Sequence, residues 1–317
     1  MIETALDWHG TGRRVALVTV METWGSAPRR AGSQMVVAQD GGFAGSVSGG
    51  CVEAAVITAA REAIAEERWR VLDFGVSDAD AFAAGLACGG RIRLLVEPVG
   101  AVLPIPLLTA LAASRQSRQA LAYVVNLSTG TRELRGEVAP LEDRFHRDRS
   151  GLEGDEFIAV HLPPPRLILI GAVQIAQAIL PMAQAVGYDA IVIDPRAAFA
   201  TEARFPGTRI CADWPDNILP DVGLDRHSAV VTLSHEPRID DPALILALPS
   251  HAAYVGALGS RRTQETRVSR LLSAGLDPQD IARLKAPVGL PIGAATPAEI
   301  ALSVLADVVA TFRGVGR

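Results

Sequence analysis

Apolar and polar positions divide this chain into two stretches with different rhythms. In the first, short β-type runs alternate with glycine-rich loops: Val15-Ala-Leu-Val-Thr-Val20, Gln34-Met-Val-Val-Ala38, Phe43-Ala-Gly-Ser-Val47, Arg70-Val-Leu-Asp-Phe74, Arg91-Ile-Arg-Leu-Leu-Val-Glu97 and Ala122-Tyr-Val-Val-Asn126. Two segments between them carry helical character, Val52 to about Trp69 and Pro106 to about Gln119. In the second stretch, fully apolar runs of five residues alternate with helical patterns. Arg166-Leu-Ile-Leu-Ile170, a glycine turn, a helix to Val186 and Asp189-Ala-Ile-Val-Ile-Asp194 make a βαβ unit. Further strands are expected at 208–211, 228–233 and 253–257, which is the pattern of a parallel sheet covered on both faces.

These patterns predict an α/β chain in which a mixed α+β N-terminal domain precedes a Rossmann-like, doubly wound parallel sheet domain. The charged run Arg144 to Glu156 and the stiff Pro163-Pro-Pro165 place the boundary, giving domains at 1–150 and 163–317 with a linker at 151–162. A length of 317 residues with 49% hydrophobic and 21% charged residues suits two packed cores. The net charge of −5 argues against nucleic acid or an anionic membrane surface as the partner. Leu167 to Tyr188 has no formal charge and is long enough to span a bilayer, but Pro181 and three glutamines divide it into a strand and a helix, so no membrane span is expected. The start, Met-Ile-Glu-Thr-Ala-Leu-Asp-Trp, predicts no signal peptide. Three cysteines without short ligand spacing predict neither a disulfide framework nor a metal site and suit a reducing cytoplasm.

Candidate chemistry concentrates in loops. Gly25-Ser-Ala-Pro-Arg-Arg30, with Ser26 and Arg29, is followed by Gly45-Ser-Val-Ser-Gly-Gly-Cys-Val-Glu53. Gly49, Gly50 and Cys51 are expected at a helix N-terminus, where free N–H groups favour anions and lower a thiol pKa, with Glu53 close by. Ala87-Cys-Gly-Gly90 repeats the pairing of a cysteine with glycines at Cys88 and Gly89, so two such loops facing each other would line a phosphate-sized pocket with thiols. The alternative for each cysteine is a small buried hydrophobe.

In the second stretch the dinucleotide fingerprint is altered, reading Gly171-Ala-Val-Gln-Ile-Ala176. Val173 stands where a glycine normally lets a pyrophosphate approach, while Asp194 lies where such folds place an acid on a ribose. NAD(P) binding is therefore a weak expectation. Leu233-Ser-His-Glu-Pro-Arg-Ile-Asp-Asp241 puts His235 and Asp240 past a strand end. His235 would act as a proton donor, a hydrogen-bond donor to an oxo group or a metal ligand, the alternative being a solvated loop histidine, and Asp240 or Asp241 as cap of a helix starting at Pro242. Ser260, Arg261 and Arg262 open another helix after a glycine loop and are expected to form a second anion site, the alternative being a basic helix surface. No triad or paired acid and base is recognisable, so no catalytic residue is assigned.

Taken together, Gly25 to Arg29, Gly45 to Glu53, Cys88-Gly-Gly90, Pro163 to Gly171, His235 with Asp240 to Leu244, Gly256-Ala-Leu-Gly-Ser-Arg-Arg262 and Gly289 to Glu299 resemble the xanthine dehydrogenase accessory proteins of the XdhC/CoxI family. The resemblance implies a cytoplasmic chaperone that holds molybdenum cofactor (molybdopterin) as transient cargo. Such a protein protects the cofactor during terminal sulfuration and passes it to an apo-molybdenum hydroxylase of the xanthine dehydrogenase type. A cysteine desulfurase partner and a homodimer are also implied. The family's turn usually reads Gly-Ala-Gly-His, so Gly171-Ala-Val-Gln174 departs from it. Cys51, Cys88, Arg261 and Arg262 would then belong to one composite cofactor site. An NAD(P)-dependent oxidoreductase using His235 and a sulfur carrier persulfidated at Cys51 or Cys88 are the competing readings.

Overall fold

The computed structural model describes residues 1–25, 29–75 and 90–314, so Ser26, Cys88 and Gly89 lie outside the described residues. Two compact units emerge, Met1–Pro163 and Pro164–Arg317.

The first unit holds two antiparallel sheets. The five-stranded sheet runs β3 (Phe43–Gly45), β2 (Gln34–Ala38), β1 (Val15–Trp24), β5 (Arg91–Pro98), β4 (Arg70–Phe74). Alternation along β1 sends Ala16, Val18 and Val20 to one core with Val56, Ala60 and Ile64 of helix α2 (Glu53–Glu66). Val15, Leu17 and Met21 face the other way. There they meet α1 (Ile2–Gly10), α3 (Ile105–Gln116) and the inner face of the second sheet, through Tyr123, Val125, Phe157 and Ala159. That sheet is ordered β7 (Arg132–Gly136), β6 (Leu121–Asn126), β9 (Glu156–His161), β8 (Gly151–Glu153), with the short helix α4 (Glu142–His146) covering its outer face through Phe145. A buried polar group ties the two sheets: Glu97 of β5 accepts hydrogen bonds from the Tyr123 hydroxyl at 2.9 Å and Arg132 Nε at 2.6 Å.

The expected linker at 151–162 is corrected here. It forms β8 and β9, because Phe157-Ile-Ala-Val160 is an apolar strand buried on both faces despite its charged surroundings.

The second unit is a six-stranded, all-parallel sheet in the order β12 (Arg209–Cys211), β11 (Asp189–Ile193), β10 (Arg166–Ile170), β13 (Ser228–Thr232), β14 (Tyr254–Ala257), β15 (Leu284–Lys285). Numbered within the unit this is 3-2-1-4-5-6, the Rossmann order, whose switch point lies between β10 and β13. Leu167 and Leu169 pack under α5 (Gln174–Ala185) and α10 (Pro297–Phe312). Ile168 and Ile170 pack under α6 (Pro215–Val222), α7 (Pro237–Ala247) and α8 (Arg261–Ser273). The one remaining described helix, α9 (Pro278–Ile281), adds Ile281 to that second face. No helix among the described residues is long and apolar enough to cross a membrane.

Candidate functional site

In the first unit, the loop before α2 closes around one carboxylate. Gly49 and Gly50 have φ of 81° and 119°, a left-handed conformation that a side chain would strain. Their N–H groups thereby turn inward to Glu53: Oε1 accepts from Ser46 Oγ at 2.7 Å, Ser48 N at 2.9 Å, Gly49 N at 3.1 Å and Val47 N at 3.2 Å. Oε2 accepts from Gly50 N at 2.9 Å and from the Ser48 hydroxyl. Burial works to raise the Glu53 pKa, but the Ser46 and Ser48 hydroxyls and the loop amides outweigh it and hold the pKa at about 2. The loop is thus an anion nest whose anion is the protein's own. This corrects the expectation of free N–H groups here: those of Gly49 and Gly50 are taken by Glu53, which is a structural clasp. Cys51 follows directly, its thiol free and half-buried against the α2 core.

Two strands earlier in the chain, Gly25 and Arg29 are exposed, and Arg30 pairs with Asp148 at 2.5 Å. Beyond that pair, a cavity of about 200 Å³ opens between the end of β1 and residues 149–152.

In the second unit, the candidate residues gather at the carboxyl edge of the sheet, where parallel folds bind ligands. Gly171 has φ of +108°, and a Cβ there would stand 2.8 Å from Ser234 N. The loops after β10 and β13 therefore touch at the switch point, and packing demands this glycine. Val173, half-buried, is the N-cap of α5. Asp194 is fully buried and accepts from Ala172 N at 2.7 Å, Arg196 N at 2.9 Å, Arg196 Nε at 2.8 Å and Arg196 Nη2 at 2.6 Å. Burial acts to raise its pKa, yet these bonds hold it below the usual carboxylate range. The acid expected on a ribose instead fastens the Gly171 turn to the end of β11. This is a correction that sequence spacing could not reveal.

The loop after β13 is organised by Ser234, whose Oγ donates to Asp240 Oδ1 at 2.7 Å and accepts from Glu236 N at 3.0 Å. His235 between them is exposed and held at φ of +60°, which is uncommon for a residue with a side chain. The helix here starts at Pro237 rather than Pro242, with Glu236 as N-cap, because Pro237 suits the first helical position. Asp241 accordingly caps nothing and pairs with Arg270 at 2.5 Å. Asp240, 1% exposed, presents a second oxygen with no hydrogen-bond partner among the described residues. Burial pushes its pKa up against the opposing pull of Ser234, Arg267 and His235.

Sequence reasoning missed Arg267, which is 2% exposed and donates to the Leu258 carbonyl at 2.8 Å and Gln264 Oε1 at 3.0 Å. The available signal was an arginine four residues before Leu271 on the apolar face of α8. Ser260 is the N-cap of that helix, accepting from Thr263 N at 3.2 Å. Arg261 and Arg262 stand exposed beside it, with no ion pair among the described residues. The described residues contain no group of three or more His, Cys, Asp or Glu arranged to hold a metal ion.

The chain is similar to known proteins along both of its units. Residues 8–75 match the model of the XdhC and CoxI family, and residues 167–308 that of the XdhC Rossmann domain. The molybdenum cofactor insertion chaperone PaoD of Escherichia coli is 31% identical over 308 residues, covering 97% of this chain and 86% of that protein. A Bacillus subtilis protein named as a probable subunit of xanthine dehydrogenase is 28% identical, covering 93% of this chain and 92% of the relative. A solved structure described as a xanthine dehydrogenase from Bacillus halodurans superposes with a TM-score of 0.79 at 28% identity, over 99% of this chain and 96% of that one. With both units matched and an end-to-end relative above 30% identity, this chain belongs to the XdhC and CoxI family and carries the XdhC Rossmann domain as its second unit.

Proposed function

We propose that this protein is a molybdenum cofactor chaperone that holds the cofactor and hands it to an apo-molybdenum hydroxylase of the xanthine dehydrogenase type. The observation that carries the reading is the likeness, across 97% of the chain, to a protein named as a molybdenum cofactor insertion chaperone. The residues suit such cargo, which offers a phosphate, a dithiolene and an oxo or sulfido metal centre. Arg261 and Arg262, without ion pairs among the described residues and beside the N-terminus of α8, suit the phosphate. The unpartnered oxygen of Asp240 calls for a donor that the described protein groups do not supply. The Cys51 thiol is a soft group next to a loop that Glu53 holds in one conformation.

A cytoplasmic setting, a homodimer and a cysteine desulfurase partner belong to the same reading. The test is to purify the protein from cells making the cofactor, quantify bound molybdopterin, and add the protein to an apo-hydroxylase. Binding and stimulated activation are expected. Arg261→Ala and Cys51→Ala should weaken retention while leaving the fold intact. Retention no greater than that of an unrelated protein would remove the proposal.

A further inference from the structure

The end of β1 carries a device that the family likeness does not explain. Its pairing with β5 shifts register between Val20, opposite Leu94, and Glu22, opposite Arg93, so Met21 is an extra, bulged residue. A bulge re-aims the side chains that follow it. Ile92 and Leu94 belong to the core under α2, so Thr23, opposite Ile92, takes that face. Glu22 and Trp24, opposite Arg93 and Arg91, fall on the other face with Met21, toward β8. Without the bulge, the alternation of β1 would send Glu22 and Trp24 toward α2.

The cavity of about 200 Å³ lies there, with Glu22, Trp24, Arg149 and Ser150 among its lining residues. Arg144 supports its wall, bonded to Glu153 Oε2 at 3.1 Å and to the carbonyls of Arg149 and Leu152 at 3.3 and 3.4 Å. The indole of Trp24 is 47% exposed, and the Arg91 guanidinium lies 5.9 Å from its ring centroid. Neither Glu22 nor Arg149 has an ion pair among the described residues.

An exposed aromatic surface, a carboxylate and a guanidinium around one small cavity suit a flat heterocycle with two adjacent N–H donors and a carbonyl. The carboxylate accepts both N–H groups in a bidentate pair, the guanidinium donates to the carbonyl and the indole stacks. The volume is below the ~300 Å³ at which pockets for drug-sized ligands begin, so it suits one bicyclic ring. We propose that Glu22, Trp24 and Arg149 form the subsite for the 2-amino-4-oxopteridine ring of the cargo, with Glu22 reading its amino edge. This rests on the chaperone reading above and adds the group that the cavity recognises.

The test uses the full chain and two free heterocycles, pterin and lumazine, which has a carbonyl in place of the 2-amino group. Binding is followed by equilibrium dialysis through the heterocycle's own fluorescence. Pterin binds saturably, lumazine about tenfold or more weaker, and Glu22→Gln and Trp24→Ala each weaken pterin about tenfold or more. Equal binding of the two heterocycles, no saturable pterin binding, or unchanged binding in both variants overturns the subsite. Molybdopterin retention is measured in parallel. Cofactor retention that is well above that of an unrelated protein and equal in the unsubstituted protein and Glu22→Gln overturns the subsite and leaves the chaperone reading standing. Selective pterin binding by a protein that retains no cofactor supports the subsite and sinks the chaperone reading.

Discussion

Replacing Glu53 by glutamine isolates the clasp that shapes the loop before α2. The substitution keeps the side chain's size, but only one of the two terminal atoms can then accept. Either the four donors at Oε1 or the Gly50 amide and Ser48 hydroxyl at Oε2 would face an NH₂ group. The fall of the pKa from the usual 4.5 to about 2 measures how much better the folded loop holds the charged form. At about 1.4 kcal/mol for each tenfold change in proton affinity this is about 3 kcal/mol. Because the folded pKa is depressed, the contribution is fully present above pH 4.5 and is lost as pH falls through about 2. Urea unfolding of the first unit at neutral pH should therefore show Glu53→Gln less stable by about 3 kcal/mol, with the gap cut by half or more near pH 3. Amide exchange at Ser48, Gly49 and Gly50 should accelerate in the variant. A variant within about 0.5 kcal/mol of the parent at neutral pH, or a gap that does not change with pH, would refute the reasoning.

Two substitutions probe the second unit. Gly171→Ala places a Cβ 2.8 Å from Ser234 N at a φ of +108°, so it should destabilise that unit by about 2–4 kcal/mol in thermal or urea unfolding. Asp240→Asn removes a buried carboxyl whose pKa is raised above the usual 3.8, so the parent loses stability as pH rises through that range. The variant should be the more stable at neutral pH and equal to the parent below pH 3.8, while retaining less cofactor. Paired urea titrations at the two pH values read the sign directly.

The parallel sheet was legible because its central strands are buried on both faces: Arg166 to Ile170 and Ser228 to Thr232 are apolar runs whose period needs no partner to interpret. The second sheet of the first unit was only half legible. Ala122 to Asn126 reads as a strand, but Arg132-Glu-Leu-Arg-Gly136 is an edge strand with charges on it, and β9 lies between an acidic turn and the Pro163-Pro-Pro165 run, which together resemble a linker. Site chemistry shows the same division. Local spacing correctly put Glu53 beside Gly49 and Gly50, and Asp194 at the end of β11. It could not say toward what those carboxylates turn, because that depends on Ser46, Ser48 and Arg196 adopting conformations that only the folded loops impose.

Arg267, the Glu97–Tyr123–Arg132 group and the bulge at Met21 are less legible still, since each is defined by residues remote in the chain. The bulge shows why this matters. One unpaired residue moves Glu22 and Trp24 to the opposite face of the sheet, and no alternation read along β1 alone distinguishes the two outcomes. Residue types that suit a ligand were visible in the sequence, whereas their convergence on one cavity is a property of strand register.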